Sequence, residues 1–574
     1  MGKRWVIKPK AKQQDIERLR QELGIEPLLA NLLAQRGIRT YQEAETFFRP
    51  TLDRLYDPFS IKDMNRAIER IEQAIQTNQR IMIYGDYDVD GTTSVALVYS
   101  FLSRYHSNLE YYIPDRYAEG YGISFQGIDY AASHNVSLII ALDCGIKAAE
   151  KIDYANRHQV DFIICDHHTP EQRLPNAVAV LDPKRQDCNY PFKALSGCGV
   201  GFKMLQAFCL TNDIDVNELY PLLDLVAVSV ASDIVPLVDE NRVMTHFGLK
   251  QLNENPGNGL KAIIKMSGLA DKQNRIEVGD IVFRIGPRIN AAGRIESGKS
   301  AVDLLITDNQ RKAEKMAQKV NSCNDTRKNI DRHITQEALK MIAQDSGFRE
   351  KKSTVLYNPN WHKGVVGIVA SRMIEIYYRP TIILTASNGV ATGSARSIPG
   401  FDIYNALEAC NDLLENFGGH TYAAGLTLAT QNIPTFKRRF EDIVEQSITE
   451  EQLVPHIEID SEIQFREITE KFFRILKQFQ PFGPGNLAPV FVARQVRDDG
   501  TAKLVGSSKE HIKLSLTQDG DTTSLFPAIA FQQANHFSDI HRGKPFDICF
   551  SVEENIFRGK RNLQLNIKDI KITG

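Results

Sequence analysis

Three short stretches of this 574-residue chain concentrate side chains suited to hydrolytic chemistry. They are Gly85-Asp86-Tyr87-Asp88-Val89-Asp90-Gly91, Asp143-Cys144-Gly145 and Asp166-His167-His168. Carboxylates gathered in one place repel one another unless a cation neutralises them. Mixed carboxylate and imidazole donors suit Mn²⁺ or Mg²⁺ rather than a sulfur-seeking metal. The run Asp86-x-Asp88-x-Asp90-Gly91 also opens the pattern of an EF-hand calcium loop. That loop needs Glu at its twelfth position, which here is Leu97. Each stretch alone has an ordinary explanation: an Asp-Gly turn, a capping Asp, a solvated loop. Their recurrence after apolar strands argues for a shared site.

The elements that must position them alternate as strand and helix. Arg80-Ile-Met-Ile-Tyr84, Ser137 to Leu142, Asp161 to Cys165 and Ala177 to Leu181 are short apolar runs. Such runs are buried on both faces of a parallel sheet. The three acidic clusters follow the first three runs. In an open α/β sheet, ligands bind outside the carboxyl ends of the strands, so the clusters are expected on one rim. Around this sheet the reading is an α/β catalytic domain over 51–308, preceded by a helical segment, 1–50, capping it. Residues 309–344 hold no Pro or Gly and predict a connecting helix. A smaller α/β domain is expected over 345–454. From 455 to 574, short strands and turn signals such as Asp498-Asp499-Gly500 and Asp519-Gly520-Asp521 suit a small β-barrel or a β-sandwich.

Composition narrows the partners. A net charge of −2 gives no global field for nucleic acid, so any DNA-binding face must be local. The eight Cys include no C-x-x-C pair and read as reduced core thiols. No run of about 18 apolar residues offers a membrane span, and the polar N-terminus lacks a signal-peptide core. A cytoplasmic protein is expected.

Asp88-Val89-Asp90, Asp143, Asp166-His167-His168 and Ala231-Ser232-Asp233-Ile234-Val235-Pro236 resemble, in order, the four motifs of the DHH phosphoesterase superfamily. Gly286-Pro-Arg288-Ile-Asn290-Ala-Ala-Gly-Arg294 is similar to a further signature of its RecJ branch. Trp361-His-Lys-Gly-Val-Val-Gly367, Gly393-Ser394-Ala395-Arg396 and Gly418-Gly419-His420 look like the associated DHHA1 domain. Pro481-Phe-Gly-Pro-Gly-Asn486 resembles the entry to a RecJ OB-type domain. Relatives often carry Gly where this chain has Ala395, and the extra methyl is expected to crowd a backbone approach to phosphate.

The resemblance implies roles. Asp88, Asp90, Asp143, His167 and Asp233 are the implied ligands of two divalent ions, Mn²⁺ or Mg²⁺. Asp86 and Asp166 are either ligands or orienters of ligands. His168 contacts the scissile phosphate or protonates the leaving oxygen. Two cations a few ångströms apart acidify water and stabilise both the attacking and the leaving oxygen. Arg288, Asn290 and Arg294 grip phosphates, with an interdomain ion pair as the alternative. Ser394, Arg396, Gly418, Gly419 and His420 form a second phosphate site, with a plain Gly-Gly turn as the alternative. In the last domain Lys503, Arg558, Lys560 and Arg561 are candidate strand contacts and Phe531, Phe537 and Phe557 candidate stacking platforms. Burial of those rings in a barrel core is the competing explanation.

The implied activity is a 5′→3′ exonuclease specific for single-stranded DNA, in recombination and repair. The implied partners are single-stranded DNA, a single-strand-binding protein and a helicase, and the implied state is a monomer. Two other classes stay open: a DHH phosphodiesterase of short oligonucleotides or cyclic dinucleotides, and a catalytically silent DNA-binding replication scaffold.

Overall fold

The computed structural model describes residues 2–270, 275–387, 389–518, 521–557 and 560–573. The expected Asp519-Gly520 turn and Arg558 lie outside the described residues, as does the side chain of Phe557. The chain forms two compact units. One comprises Ile7–Gly293, Ser297–Asn321 and Glu458–Gly574; the other comprises Met1–Val6, Arg294–Glu296 and Ser322–Ile457.

In the first unit, helices α1 (Gln13–Leu23), α2 (Pro27–Gln35) and α3 (Tyr41–Phe48) precede a five-stranded sheet. Its strands are β1 (Arg80–Gly85), β2 (Leu109–Tyr112), β3 (Val136–Leu142), β4 (Asp161–Cys165) and β5 (Ala179–Leu181). Their order is β2-β1-β3-β4-β5, and every pair is parallel. Alternation explains why the strands read as continuous apolar runs. Ile81 and Ile83 enter one core with Leu138 and Ile140, whereas Met82 and Tyr84 enter the other with Ile139 and Ala141. Helix α4 (Val89–Leu102) follows β1 directly. Helices α5 (Gly197–Thr211), α6 (Leu223–Ser232), α7 (Asp239–Glu254) and α8 (Gly286–Ile295) complete the larger core.

The N-terminal helices do not cap this sheet, contrary to expectation. Ile16, Leu19, Leu29, Leu32 and Leu33 share a core with Ile463, Phe472, Phe491, Leu514 and Phe550 of the C-terminal β domain. The apolar spacing of Pro27-Leu-Leu-Ala-Asn-Leu-Leu-Ala predicts that α2 packs, but carries no information about the surface it packs on.

The C-terminal strands of interest follow a 35-residue helix, α9 (Gln310–Gln344), and the second unit's sheet. That sheet runs β9-β10-β8-β7-β6, with β6 (Thr354–Tyr357), β7 (Thr381–Ser387), β8 (Val390–Arg396), β9 (Asn416–His420) and β10 (Ala423–Leu428). Only β6–β7 is parallel; β7–β8, β8–β10 and β10–β9 are antiparallel. Helix α10 (Val366–Tyr377) packs on it.

In the C-terminal domain, β11 (Phe491–Asp498) pairs with both β12 (His511–Gln518) and β14 (Phe546–Phe557). β12 pairs with β13 (Asp521–Ala530), β13 with β15 (Lys560–Ile572), and β15 with β14. The pairings therefore close a ring of five strands, which selects the barrel over the sandwich and leaves those strands no free edge.

Candidate active site

The acidic clusters meet at the carboxyl ends of β1, β3 and β4. Asp86 follows β1, Asp143 follows β3 and Asp166 follows β4, while Asp88 is the N-cap of α4 and accepts from Gly91 N–H at 3.0 Å. Asp233 joins them from the C-terminus of α6. His167 Nε2 stands 3.1 Å from Asp143 Oδ1, 3.6 Å from Asp233 Oδ2 and 3.7 Å from Asp90 Oδ2. Asp143, His167 and His168, and Asp90, His167 and Asp233, each offer ligand atoms within 4.8 Å of one another.

The backbone does much of the aiming. Asp143 sits at φ 58°, a left-handed conformation that costs a non-glycine residue about 1–3 kcal/mol and persists where the surroundings over-determine it. Its main-chain N–H donates to Cys165 O at 2.9 Å. Gly197 allows the carboxylate to close in, since a Cβ there would stand 2.6 Å from Asp143 Cβ. Asp90, 2% exposed, is fixed by the start of α5. Its Oδ2 accepts from Gly197 N–H at 2.7 Å, and its Oδ1 accepts from Cys198 N–H at 2.8 Å and from the Ser229 hydroxyl at 2.7 Å. A helix N-terminus favours that negative charge.

The two histidines are held differently. His168 Nδ1 is bonded to Asp166 Oδ1 at 2.7 Å. Asp166 also accepts from the main-chain N–H of His167 and His168 through Oδ1 and from Ile146 N–H through Oδ2. Both of its oxygens are engaged, one of them by the His168 ring. Burial opposes its ionisation, but the hydrogen bond and charge of His168 prevail and hold the carboxyl below its ordinary range. Burial also works against the His168 cation, yet the Asp166 carboxylate raises its pKa. His167, 6% exposed, has no hydrogen bond at either ring nitrogen, and burial lowers its pKa to about 4, leaving it neutral.

This donor set fits divalent cations. The buried atoms Asp143 Oδ1, Asp86 Oδ2 and both His167 nitrogens lack hydrogen-bond partners, which native interiors rarely tolerate. Burial, then repulsion from neighbouring carboxylates, pushes Asp86, Asp88 and Asp143 up and raises Asp233 to about 8. A cation relieves both penalties. Asp90, Asp143, His167, His168 and Asp233 offer ligand atoms close enough to hold it, and Asp86 accepts from Gly122 N–H at 3.3 Å.

Two residues were not anticipated. Tyr121, 53% exposed between Gly120 (φ 90°) and Gly122 (φ 74°), places its hydroxyl 3.5 Å from His168 Nε2. An aromatic flanked by two glycines just after β2 was the available signal. Ile234 follows Asp233 at φ 60° and is 65% exposed. A β-branched residue in that conformation is an outlier, with no signature in the sequence.

In the Gly286–Arg294 segment the arginine side chains are held by nearby partners. The Arg288 guanidinium donates to Asn321 Oδ1 (2.9 Å), Arg284 O (2.6 Å) and Met266 O (3.3 Å), so its fork is engaged within its own domain. Spacing four residues after Arg284 turns it onto the preceding helical turn. Asn290 is half-buried on α8, and Arg294 NH1 donates to Gly364 O at 3.0 Å.

In the second unit, strand register assembles a polar face. Gly418 is opposite Gly425, which is opposite Ser394; His420 is opposite Ala423, which is opposite Arg396. Gly418, His420, Ser394 and Arg396 therefore share one face, and Arg396 NH1 donates to Ser394 Oγ at 2.7 Å. Gly367 leaves room for them: a Cβ there would lie 3.0 Å from Ser394 Oγ and 3.1 Å from Arg396 NH2. Two expectations are corrected. Gly418-Gly419 is strand rather than turn or nest, and alternation puts Gly419 on the opposite face, where a Cβ would meet Ala423 O at 2.3 Å. Ala395, 0% exposed, points into the core, so its methyl crowds nothing beside Ser394 and Arg396.

On the barrel, exposed Lys503 faces Lys513 across the β12 edge, exposed Phe531 stands edge-on to His511, and Phe537 packs against the core and stacks on His541. Lys560 and Arg561 are exposed.

Comparison with known proteins bears on all three parts. The DHH family N-terminal domain matches residues 80–230, the DHHA1 domain 350–446 and the RecJ OB domain 459–569. The single-stranded-DNA-specific exonuclease RecJ of Bacillus subtilis is 36% identical over 99% of this chain and 71% of its own length. The Escherichia coli protein of the same name is 32% identical over 95% of this chain and 96% of its own length. This chain belongs to the RecJ family. Thermus thermophilus RecJ, solved in complex with Mn²⁺, superposes on all of this RecJ-family chain and 80% of its own at a TM-score of 0.84 and 25% identity. An exonuclease RecJ bound to manganese covers 69% of this chain and 97% of its own at 0.59 and 30%.

Proposed function

We propose that this RecJ-family chain is a metal-dependent exonuclease that degrades single-stranded DNA from the 5′ end and releases 5′-mononucleotides. The observation that carries the reading is the set of buried, unpartnered donor atoms on Asp143 and His167, ringed by Asp90 and Asp233. The activity accords with the names of the relatives above and with manganese in the related structures. Asp88, Asp90, Asp143, His167 and Asp233 would hold two divalent ions, Mn²⁺ or Mg²⁺, which would supply Lewis acidity to a phosphate and lower the pKa of water.

The chain's own residues do the rest. Asp90 is held from behind by Gly197, Cys198 and Ser229, so its position is set before substrate arrives. Asp166 fixes the His168 ring through Nδ1, leaving Nε2 to hold a proton for the leaving oxygen. Ser394, Arg396 and His420 present donors from one sheet face to backbone phosphates. Among the described residues no helix is long and apolar enough to cross a membrane. A cytoplasmic monomer that works with a single-strand-binding protein and a helicase belongs to the same proposal.

The test is digestion of 5′-labelled single-stranded and duplex DNA with Mn²⁺, Mg²⁺ or EDTA, beside Asp143→Ala. Metal-dependent release of labelled mononucleotide from the single strand alone, lost in the variant, is the expected result. Binding of the strand without release under either metal would overturn the catalytic reading and favour a silent scaffold.

A further inference from the structure

The segment that carries Asp233 is held in place by a loop nearly 250 residues away in sequence. After Asp233 the chain turns through left-handed Ile234 into Val235-Pro236-Leu237-Val238 and then enters α7. Glycine or asparagine is the usual residue at such a helix C-terminal turn, and Ile234 persists in that conformation only because its flanks are fixed. On one side Asp233 N–H donates to Ser229 O at 2.9 Å. On the other, Pro236 O accepts from Asn241 Nδ2 at 3.0 Å, and Leu237 N–H donates to Pro484 O at 2.6 Å.

Pro484 lies in the loop Pro481-Phe-Gly-Pro-Gly-Asn486, and that loop is shaped for this contact. Gly483 and Asn486 exchange main-chain hydrogen bonds of 3.0 and 2.9 Å around Pro484-Gly485, with Gly485 at φ 75°. A Cβ on Gly483 would stand 2.2 Å from Leu237 Cδ1, and one on Gly485 would stand 3.0 Å from Val238 Cγ1. Both glycines therefore serve close approach to 236–238. The loop is pinned from behind. Asn486, 2% exposed, donates to Phe479 O and Pro481 O at 2.8 and 2.9 Å and accepts from Arg36 Nε at 2.9 Å. Arg242 of α7, stacked on Phe47, donates to Phe479 O at 3.0 Å and Gln480 O at 2.8 Å. The chain thus closes a circuit from Asp233 through Leu237 to the loop and back to α7.

We infer that Gly483 and Gly485 are positioning residues for the catalytic centre, and that the barrel's entry loop sets Asp233 rather than merely joining a DNA-binding module to the sheet domain. This rests on Asp233 being a metal ligand, as proposed above.

The full-length chain tests it with Gly483→Ala, which must displace Leu237, and with Gly483→Ala/Leu237→Val, which removes the colliding methyl. Mn²⁺ binding followed by electron paramagnetic resonance should weaken about fivefold for one ion in G483A. kcat should fall about tenfold, with anisotropy of a labelled oligo(dT) in EDTA unchanged. The double variant should recover both within about twofold, which a general loss of stability would not do. If G483A does not fold, Leu237→Val alone carries the test, with a smaller fall in Mn²⁺ affinity and kcat at unchanged oligo(dT) binding. Wild-type Mn²⁺ affinity and kcat in a folded G483A, or in L237V when it stands alone, would overturn the inference. Asp233→Ala run in parallel separates the two claims. Loss of an ion there but not in G483A sinks the coupling alone, whereas no loss in D233A sinks the ligand assignment.

Discussion

The rim of the parallel sheet and the outer strands of the second unit's sheet both gather polar side chains, but they fix them by different means. At the rim, each carboxylate is set by its own stretch of backbone: a strand end, the N-cap of α4, the left-handed residue Asp143. Most of the donors are buried and four of their atoms lack partners, so the site carries an electrostatic penalty that a cation would relieve. On the β9-β10-β8 face, Ser394, Arg396, Gly418 and His420 become neighbours through lateral register. Gly418 and His420 are exposed and Ser394 and Arg396 half-buried, so an anion would cost less desolvation there than at the rim. The first region gathers buried carboxylates and the second gathers neutral and cationic donors.

That contrast can be broken most sharply at the rim. His167→Ala removes the donor common to both ligand groups, and kcat should fall on the order of 10³-fold, about 4 kcal/mol of barrier. Strand binding in EDTA should change little; a comparable loss of binding would mean that the rim also grips DNA. The pH dependence of metal-free stability comes next. Native Asp233 keeps its proton up to about pH 8, whereas an unfolded carboxyl releases it near about pH 4. Between those values the unfolded state binds fewer protons, so stability falls as pH rises. Thermal denaturation in EDTA should show Tm dropping by several degrees from pH 5 to 8, and Mn²⁺ should abolish the drop. A flat profile in EDTA would show that the cluster carries no such penalty. Asp166→Asn keeps the shape but loses the charge that holds His168. A loss of about 10- to 100-fold in kcat, typical of groups that orient a site's working residues, should leave Mn²⁺ affinity near wild type; a lost ion would make Asp166 a ligand.

Much of this was legible in the sequence because the chemistry is local. The runs ending at Tyr84, Leu142 and Cys165 are continuous apolar strands, and the clusters follow them directly. β2 escaped because Leu109-Glu-Tyr-Tyr112 is a half-buried edge strand with no apolar run. The docking of α1 and α2 on the barrel escaped because an amphipathic stripe does not name its partner. The surroundings of Gly419 and Arg288 escaped for a related reason. Their types suit phosphate, but strand alternation sends Gly419 to the far face, and α8 turns Arg288 toward Asn321. Ile234 and its dependence on Pro484 are legible only in three dimensions.

The open face yields smaller effects, and these sharpen the comparison. Arg396→Ala should raise KM for single-stranded DNA about tenfold at nearly constant kcat, about 1.4 kcal/mol, the lower range for a charge-assisted hydrogen bond. Lys there should recover only part, because an ammonium lacks the planar fork that could serve Ser394 Oγ and a phosphate together. A fall in kcat with KM unchanged would instead move Arg396 into the chemistry of the rim.

The smallest effect is expected one residue earlier. Ala395 is fully buried against the second unit's core, with Ser394 and Arg396 projecting from the other side. Replacing it with Gly opens no space on the face of Ser394 and Arg396 and loosens the strand by about 0.5–1 kcal/mol. Activity on single strands should therefore stay within about twofold of wild type while Tm drops slightly. If Ala395→Gly instead lowers KM severalfold, the strand must shift to admit the anion, and the face would be adjustable rather than fixed by register.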